Sequence, residues 1–193
     1  MALFSLEHSK LAYRADFALY GMAVLALAGY LLLASPLAEH WTMLIYALVG
    51  LASWSAMEYG LHRFVLHGLQ PFRRWHAAHH QRPAALICIP TVISALLIGG
   101  VVFLPALVLI GHWHASALTL GILAGYQGYA ITHHAIHHWH TDSAWLKRRK
   151  RWHALHHYAA KPACYGVTSN AWDCLLGTRQ QVQRQRLNDD PPR

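Results

Sequence analysis

Four long runs without a single Asp, Glu, Lys or Arg constrain this chain more than any motif in it. Phe17–Ala34 is uncharged for eighteen residues, enough to cross a hydrocarbon core as a helix, and Ser35-Pro36 ends it. Trp41–Met57 is the second run, and its helical pattern continues past Glu58 to the first histidines. Ala84–Gly111 is uncharged for twenty-eight residues, which as one straight helix would reach ~42 Å. A bilayer core is about 30 Å thick, so Pro90 or Pro105 is expected to break or tilt that helix. Ala115–Thr132 is the fourth run. The expected fold is an all-α integral membrane protein with four transmembrane helices in two hairpins, at about residues 17–34, 41–61, 84–111 and 115–136. The turns fall at Ser35–His40 and Gly111–His114. A cytoplasmic, histidine-rich helical cap of residues 62–83 and 137–179 and a polar tail of 180–193 complete one domain covering residues 1–193.

Charge supports the same layout. All 16 Lys and Arg fall in three places: Lys10 with Arg14, the Arg63–Arg82 connection, and everything from Lys147 onward. With four spans these places share one face of the membrane, and the positive-inside rule makes that face cytoplasmic. Both termini are then cytoplasmic in a bacterial inner membrane, and the first span is an uncleaved anchor. The net charge of +8 follows from loops near anionic headgroups, and Asp142–Trp152 reads as a helix lying on that surface. Apolar types make up 55% and charged types 12% of the chain, with a mean hydropathy of +0.21. Such a composition excludes a disordered chain and a nucleic-acid-binding module, and argues against an ordinary soluble enzyme. Cys88, Cys164 and Cys174 offer no disulfide framework, zinc ribbon or four-thiolate cluster, and read as reduced thiols.

Histidine is the other anomaly, with 17 residues. Ten fall into four clusters: His62 with His67, then His76, His79 and His80, then His133 with His137, then His153, His156 and His157. Every cluster lies at or beyond the cytoplasmic end of a span. Positions i, i+3 and i+4 share one helix face, so His76, His79 and His80 can aim three imidazoles at one point, and His153, His156 and His157 repeat that spacing. His62 and His67 are five apart, about 140° around a regular helix. They converge only if the helix distorts there, as in a π-bulge, or if they flank a metal pair. His8, His40, His112 and His114 are read as solvated or packed polar groups. His134, His138 and His140 are intermediate, and His138 could orient a ligand through its ring nitrogen. Ten neutral nitrogens are too many for one metal and suit two, each keeping an open position. Imidazole alone does not choose among iron, zinc, copper and nickel. Glu7, Glu39 and Glu58 are the only glutamates, which excludes a carboxylate-rich di-iron bundle. Glu58 lies one turn before His62 and could accept its ring N–H.

In this order the four boxes resemble the membrane-bound fatty acid hydroxylase / sterol desaturase superfamily of histidine-box di-metal oxidases. Tyr129-Ala-Ile-Thr-His133-His-Ala-Ile-His137-His138 resembles its third box. His153-Ala-Leu-His-His157, followed by Gly166-Val-Thr-Ser-Asn-Ala-Trp-Asp173 and Leu176-Gly-Thr178, is similar to its C-terminal signature. The likeness runs from about Met57 to Thr178. The sequence is shorter than eukaryotic fatty acid 2-hydroxylases, shows no fused cytochrome b5 domain, and carries His134 where an aromatic residue is common. The resemblance implies that the ten box histidines bind two iron ions, with zinc possible in purified protein, and that O2 is the co-substrate. It implies hydroxylation of a lipid or fatty acyl C–H bond, with electrons from an external ferredoxin- or cytochrome b5-like donor. It also implies a C-terminal cap holding Trp172 and Asp173, Asp173 being bonded to a ligand histidine.

Carotenoid ring hydroxylation and lipid desaturation use the same histidine-box chemistry and remain alternatives. A membrane metal transporter would place its ligands near the bilayer midplane, within the spans. A bis-histidine haem cytochrome would leave the i, i+3, i+4 triads unexplained and would show a Soret band.

Overall fold

The computed structural model describes residues 6–159 and 163–179, and every regular element among them is helical. In chain order these are α1 (Lys10–Ala34), a 3-10 turn (Leu37–Glu39), α2 (His40–Gly60) passing into a π-helix (Leu61–Leu66), and α3 (Phe72–Gln81). Then come α4 (Thr91–Leu97), a second π-helix (Ile98–Phe103) and α5 (Leu104–Ile110) in unbroken succession, followed by α6 (His112–His138), α7 (Ala144–Tyr158) and α8 (Ala171–Leu175). The polar tail expected at 180–193 lies outside the described residues. The chain divides into two compact units, one of residues up to Ser55 with Ala85–Ala130, the other of Ala56–Ala84 with the residues from Ile131 onward.

The first unit carries most of the apolar surface. Ser9 caps α1 by accepting the Ala12 N–H at 3.2 Å, and Ser35-Pro36 stops it, because the residue before a proline avoids helical backbone angles. α1 buries Tyr20 and Leu31 but leaves Leu25 and Leu33 73% and 90% exposed. Val108 and Leu109 on α5 are equally bare. A helix apolar on every side is matched to lipid rather than water. Three helical stretches are long and apolar enough to cross a membrane: Lys10–Ala34, Leu37–Leu66 and Thr91–Ile110. The third is shorter than its uncharged run because Pro90 marks its start and Gly111, at φ 77°, its end. Residues 84–90, expected within the span, lie outside the helix, and Ile87 there bridges to Glu7. Pro105 lies inside this continuous helix, two residues past the π-helix Ile98–Phe103, and a local π adjustment of that kind is how a spanning helix accommodates a residue without an N–H.

α6 is long enough to span but falls outside that apolar set. Ala115, Ser116, Ala117, Thr119 and Ile122 on it are buried, and a helix shielded by its neighbours need not be apolar itself. Polar bonds tie it in place: Gln127 donates to the Phe17 carbonyl at 3.1 Å, and His114 Nε2 lies 3.0 Å from Glu39. His112 Nε2 is 2.9 Å from the Tyr30 hydroxyl. His112 and His114 are thus packing groups.

In the first unit α2 and α6 meet backbone to backbone. A Cβ on Gly121 would lie 2.0 Å from the Ala47 carbonyl oxygen, and one on Gly50 would lie 2.2 Å from that of Leu118. Small residues at such a crossing let dispersion act between helices where no hydrophobic drive exists. Gly121→Val is therefore expected to destabilise the protein by at least ~1–3 kcal/mol, read as a lower thermal midpoint in detergent. Gly128→Ala, whose added methyl meets nothing within 4 Å, should leave the midpoint level or raise it, since alanine is the better helix residue. Equal midpoints for the two variants would refute the close crossing.

Candidate metal centre

The second unit gathers all ten box histidines. His62, His67, His76, His80 and His156 form one group and His79, His133, His137 and His153 another, and within each group the ring nitrogens, one per residue, lie within 4.8 Å of one another. His157 joins them: its Nε2 is 3.0 Å from that of His153, and its ring stacks on His80 at 4.1 Å.

Local backbone explains the first group. His62 and His67 converge because Leu61–Leu66 is a π-helix, closed by the His67 N–H on the His62 carbonyl at 3.2 Å. An i→i+5 bond sets residues five apart above one another, and the two rings stand 5.3 Å apart. The triads behave differently from their expectation. His76 and His80 point into the first group and His79 into the second; His153 belongs to the second and His156 to the first. On an α-helix i and i+4 are only about 40° apart while i+3 lies about 100° from i+4. Each triad therefore straddles the two groups instead of closing on one point.

Backbone carbonyls set the tautomers of two rings. His62 Nδ1 lies 2.5 Å from the Tyr165 carbonyl oxygen and His156 Nδ1 2.7 Å from that of Ala163. A carbonyl only accepts, so both Nδ1 atoms carry the proton and both Nε2 atoms present bare lone pairs. The expected carboxylate partners do something else. Glu58 does not reach His62; its Oε1 accepts the N–H groups of Val167 and Thr168 at 2.7 and 2.9 Å, and its Oε2 accepts the Thr168 hydroxyl. Asp173 bonds no histidine; it accepts the Tyr165 and Gly166 N–H groups, each at 2.8 Å, and the Thr178 hydroxyl at 2.6 Å. Both carboxylates hold the loop whose carbonyls orient the rings. His138 stacks on His134 at 4.5 Å, and its ring is 6.4 Å from that of His137.

Arg149, within a basic run expected on a membrane surface, is 5% exposed. It donates to Asn170 at 3.3 Å. Its partial loss of proton affinity comes from burial, while the charges of Glu58 and Asp173 oppose that loss. Its place was concealed by its neighbours, since Lys147, Arg148 and Arg151 are solvated. α7 continues past the expected Asp142–Trp152 helix through the fourth box to Tyr158, and buries Leu146, Arg149, His153 and His156 as one stripe.

Electrostatics keeps the rings neutral. Burial, then repulsion from neighbouring imidazoles, lowers His79 to about 3 and His157 to about 2. His67 falls to about 4 for the same first cause, and His76, His153 and His156 lie well below the ordinary histidine range.

Protons alone cannot satisfy the first group. Nε2 contacts run His67–His156–His80–His76–His62 at 3.0–3.1 Å. With His62 and His156 bare, His76 and His80 must each donate outward, which sets two N–H groups against each other at 3.0 Å. A shared cation relieves that conflict, and all five lone pairs can face it. Metal–nitrogen bonds of about 2.1 Å put ligands at right angles about 3.0 Å apart and tetrahedral ones about 3.4 Å apart. The observed spacing suits the right-angled set, with more ligands than a structural zinc takes. In the second group both nitrogens of buried His79 have no hydrogen-bond partner among the described residues. The donor sets fit two metal ions.

A model of the fatty acid hydroxylase family matches residues 47–178. A dihydroceramide fatty acyl 2-hydroxylase of Arabidopsis thaliana is 34% identical over 140 residues, covering 67% of this chain and 58% of that protein. A ceramide very long chain fatty acid hydroxylase of Schizosaccharomyces pombe is 30% identical over 146 residues, covering 69% of this chain and 42% of that one. The chain thus spans about half the length of these curated relatives. The solved structure of full-length scs7p, of which only the hydroxylase domain is visible, has a TM-score of 0.76 at 23% identity, covering 90% of this chain and 67% of that chain. That likeness speaks for the fold.

Two outcomes follow from the site. Purified protein should hold about two metal ions per chain, and His79→Ala and His156→Ala should each lose about one, from opposite groups, in elemental analysis. His112→Ala and His114→Ala should keep both ions. Equal loss from the two pairs of variants would refute the assignment. Acid should also destabilise the metal-free protein. The unfolded chain binds protons near pH 6.5 that the folded rings refuse until far lower pH, so stability falls as pH drops through that interval. The thermal midpoint should decline from about pH 7 to pH 5; a flat profile would contradict the neutral cluster.

Proposed function

The chain belongs to the fatty acid hydroxylase family, and from that premise we propose that it is a membrane-bound monooxygenase that hydroxylates a C–H bond of a lipid acyl chain. The observation that carries this reading is the pair of all-imidazole groups packed side by side. Nine histidines in the two groups, with His157 between them, would hold two iron ions, and zinc could replace iron in purified protein. Those ions supply the O2 redox chemistry that side chains lack.

The chain's own residues do the rest. The Tyr165 and Ala163 carbonyls hold protons on His62 Nδ1 and His156 Nδ1 and keep Nε2 free for the metal. Glu58 and Asp173 fix the loop that carries those carbonyls. One oxygen atom of O2 enters the substrate and the other leaves as water, which takes two electrons and two protons from outside. A separate ferredoxin- or cytochrome b5-like protein is the electron source in this reading. The relatives' names point to the acyl chain of a fatty acid or ceramide-type lipid and to its second carbon. α6 serves as a fourth span, both termini and the site face the cytoplasm of a bacterial cell, and the chain works as one hydroxylase domain.

Lipid mass spectrometry of cells with and without the gene tests the reading. Specific acyl lipids should gain one oxygen, carrying label from isotopic O2, and His79→Ala should abolish the gain at matched protein level. A gain labelled from water, or loss of hydrogen without added oxygen, would overturn it.

A further inference from the structure

A pocket of 320 Å³ opens beside the second histidine group, and one of its walls is a single face of α7. Lys150, His153, Ala154, His157 and Tyr158 line that wall at the i, i+3, i+4, i+7 and i+8 spacing of one helix stripe. His137 and Ile136 face them, with Pro83 and Ala84 completing the lining. The volume lies at the low end for small-ligand sites and suits the head end of an acyl chain rather than its whole length. The chemistry of the lining is sorted: small and apolar groups, three imidazoles of the proposed metal centre, and one ammonium.

That ammonium has no counter-ion among the described residues. Lys147, one turn earlier, pairs with Asp142 at 3.1 Å, whereas Lys150 has no ion-pair or hydrogen-bond partner among the described residues, and no acidic side chain lines the pocket. Lys150 is half-buried, one turn or ~4.5 Å of helix rise from His153. A partly desolvated ammonium beside an apolar wall favours an oxygen ligand, most strongly an anionic one.

We propose that Lys150 anchors the C1 oxygen of the acyl substrate, either a free carboxylate or an amide carbonyl, and so determines which carbon lies beside His137, His153 and His157. The inference rests on the acyl hydroxylase reading. It makes Lys150 a positioning residue: with C1 held one helical turn from the imidazoles, the next carbons of the chain are the ones that reach them. Ala154, on the same stripe between Lys150 and His157, leaves room for the chain, and Ile136 and Tyr158 offer it apolar surface.

The test uses the full-length, metal-loaded protein in detergent, with palmitate, palmitamide and hexadecanol as probes. Lys150→Met should weaken palmitate binding roughly tenfold to a hundredfold, the size of a lost charge-assisted bond. Lys150→Arg should restore most of the affinity, Lys147→Met should leave it unchanged, and hexadecanol should be insensitive to all three. A loss confined to palmitate identifies a free carboxylate as the ligand, and a loss shared with palmitamide identifies the carbonyl oxygen common to both. In turnover, Lys150→Met should spread the hydroxyl group over several carbons. Equal affinities for every probe and an unchanged product position would overturn the anchor while leaving the hydroxylase intact. Binding that depends on Lys150 in a wild-type protein yielding no hydroxylated product would support the anchor and sink the hydroxylase reading instead.

Discussion

Glu58 and Asp173 are buried at 4% and 1% exposure, and between them they take up the backbone N–H groups of four consecutive residues, Tyr165 to Thr168. Four N–H donors in an irregular buried segment would otherwise each go unpaired, at a cost of ~1–3 kcal/mol apiece. With them satisfied, the loop has one conformation, and its carbonyls can aim at His62 and His156. Two backbone features make that conformation attainable. A Cβ at Gly166 would fall 1.8 Å from the Ser169 carbonyl oxygen, so only glycine fits. Cys164, between the two aiming carbonyls, holds a left-handed φ of 57°, a strained state that survives where surroundings over-determine it. The carboxylates thus control the imidazoles without touching them.

The two groups are close because the same helices serve both. Within a triad the i and i+3 side chains are neighbours: the His76 and His79 rings are 5.7 Å apart, as are those of His153 and His156. Splitting each triad therefore sets the spacing of the two centres by helix geometry, with no loop needed to adjust it. The π-helix at Leu61–Leu66 solves the remaining problem, since a regular helix would turn His67 away from His62. That segment closes a thirty-residue helical stretch apolar enough for a membrane, so the distortion falls where the apolar stretch gives way to the first histidine pair.

Spacing and composition made much of this legible. Uncharged runs located three apolar helices because lipid tolerates little else, and four spaced clusters singled out the ten histidines because imidazoles at i, i+3, i+4 and i+5 seldom gather by accident. The separation of His62 and His67 even named the distortion required. Other features depend on three-dimensional context that no local pattern carries. Which face of α3 or α7 meets which group follows from how those helices pack, so the split of the triads was hidden. Glu58 stands one turn from His62, yet its partners come from a segment 109 and 110 residues away. Arg149 lies among four other basic residues, and only the packing of α7 separates the buried one from solvated Lys147, Arg148 and Arg151 and half-buried Lys150. Pro90 rather than Pro105 bounds the third apolar helix, because the π-helix just before Pro105 absorbs the missing N–H without ending the span.

An all-imidazole site has an electrostatic consequence that a carboxylate-rich one does not. Neutral rings bring no charge, so metal ions held by them keep their full positive charge, the largest in their surroundings. Glu58 and Asp173 answer that charge only at one remove, through the loop, and their own acceptor capacity is already engaged by backbone N–H groups. Arg149, buried within electrostatic reach of both, offsets them further. A centre filled in that way would be electron-poor, and the pocket beside it adds another cation, Lys150, with no acid among the described residues of its lining. Under the proposed acyl hydroxylase reading, such a field would hold the oxygen end of a substrate at Lys150 and leave its apolar carbons to the small and apolar groups of the same lining.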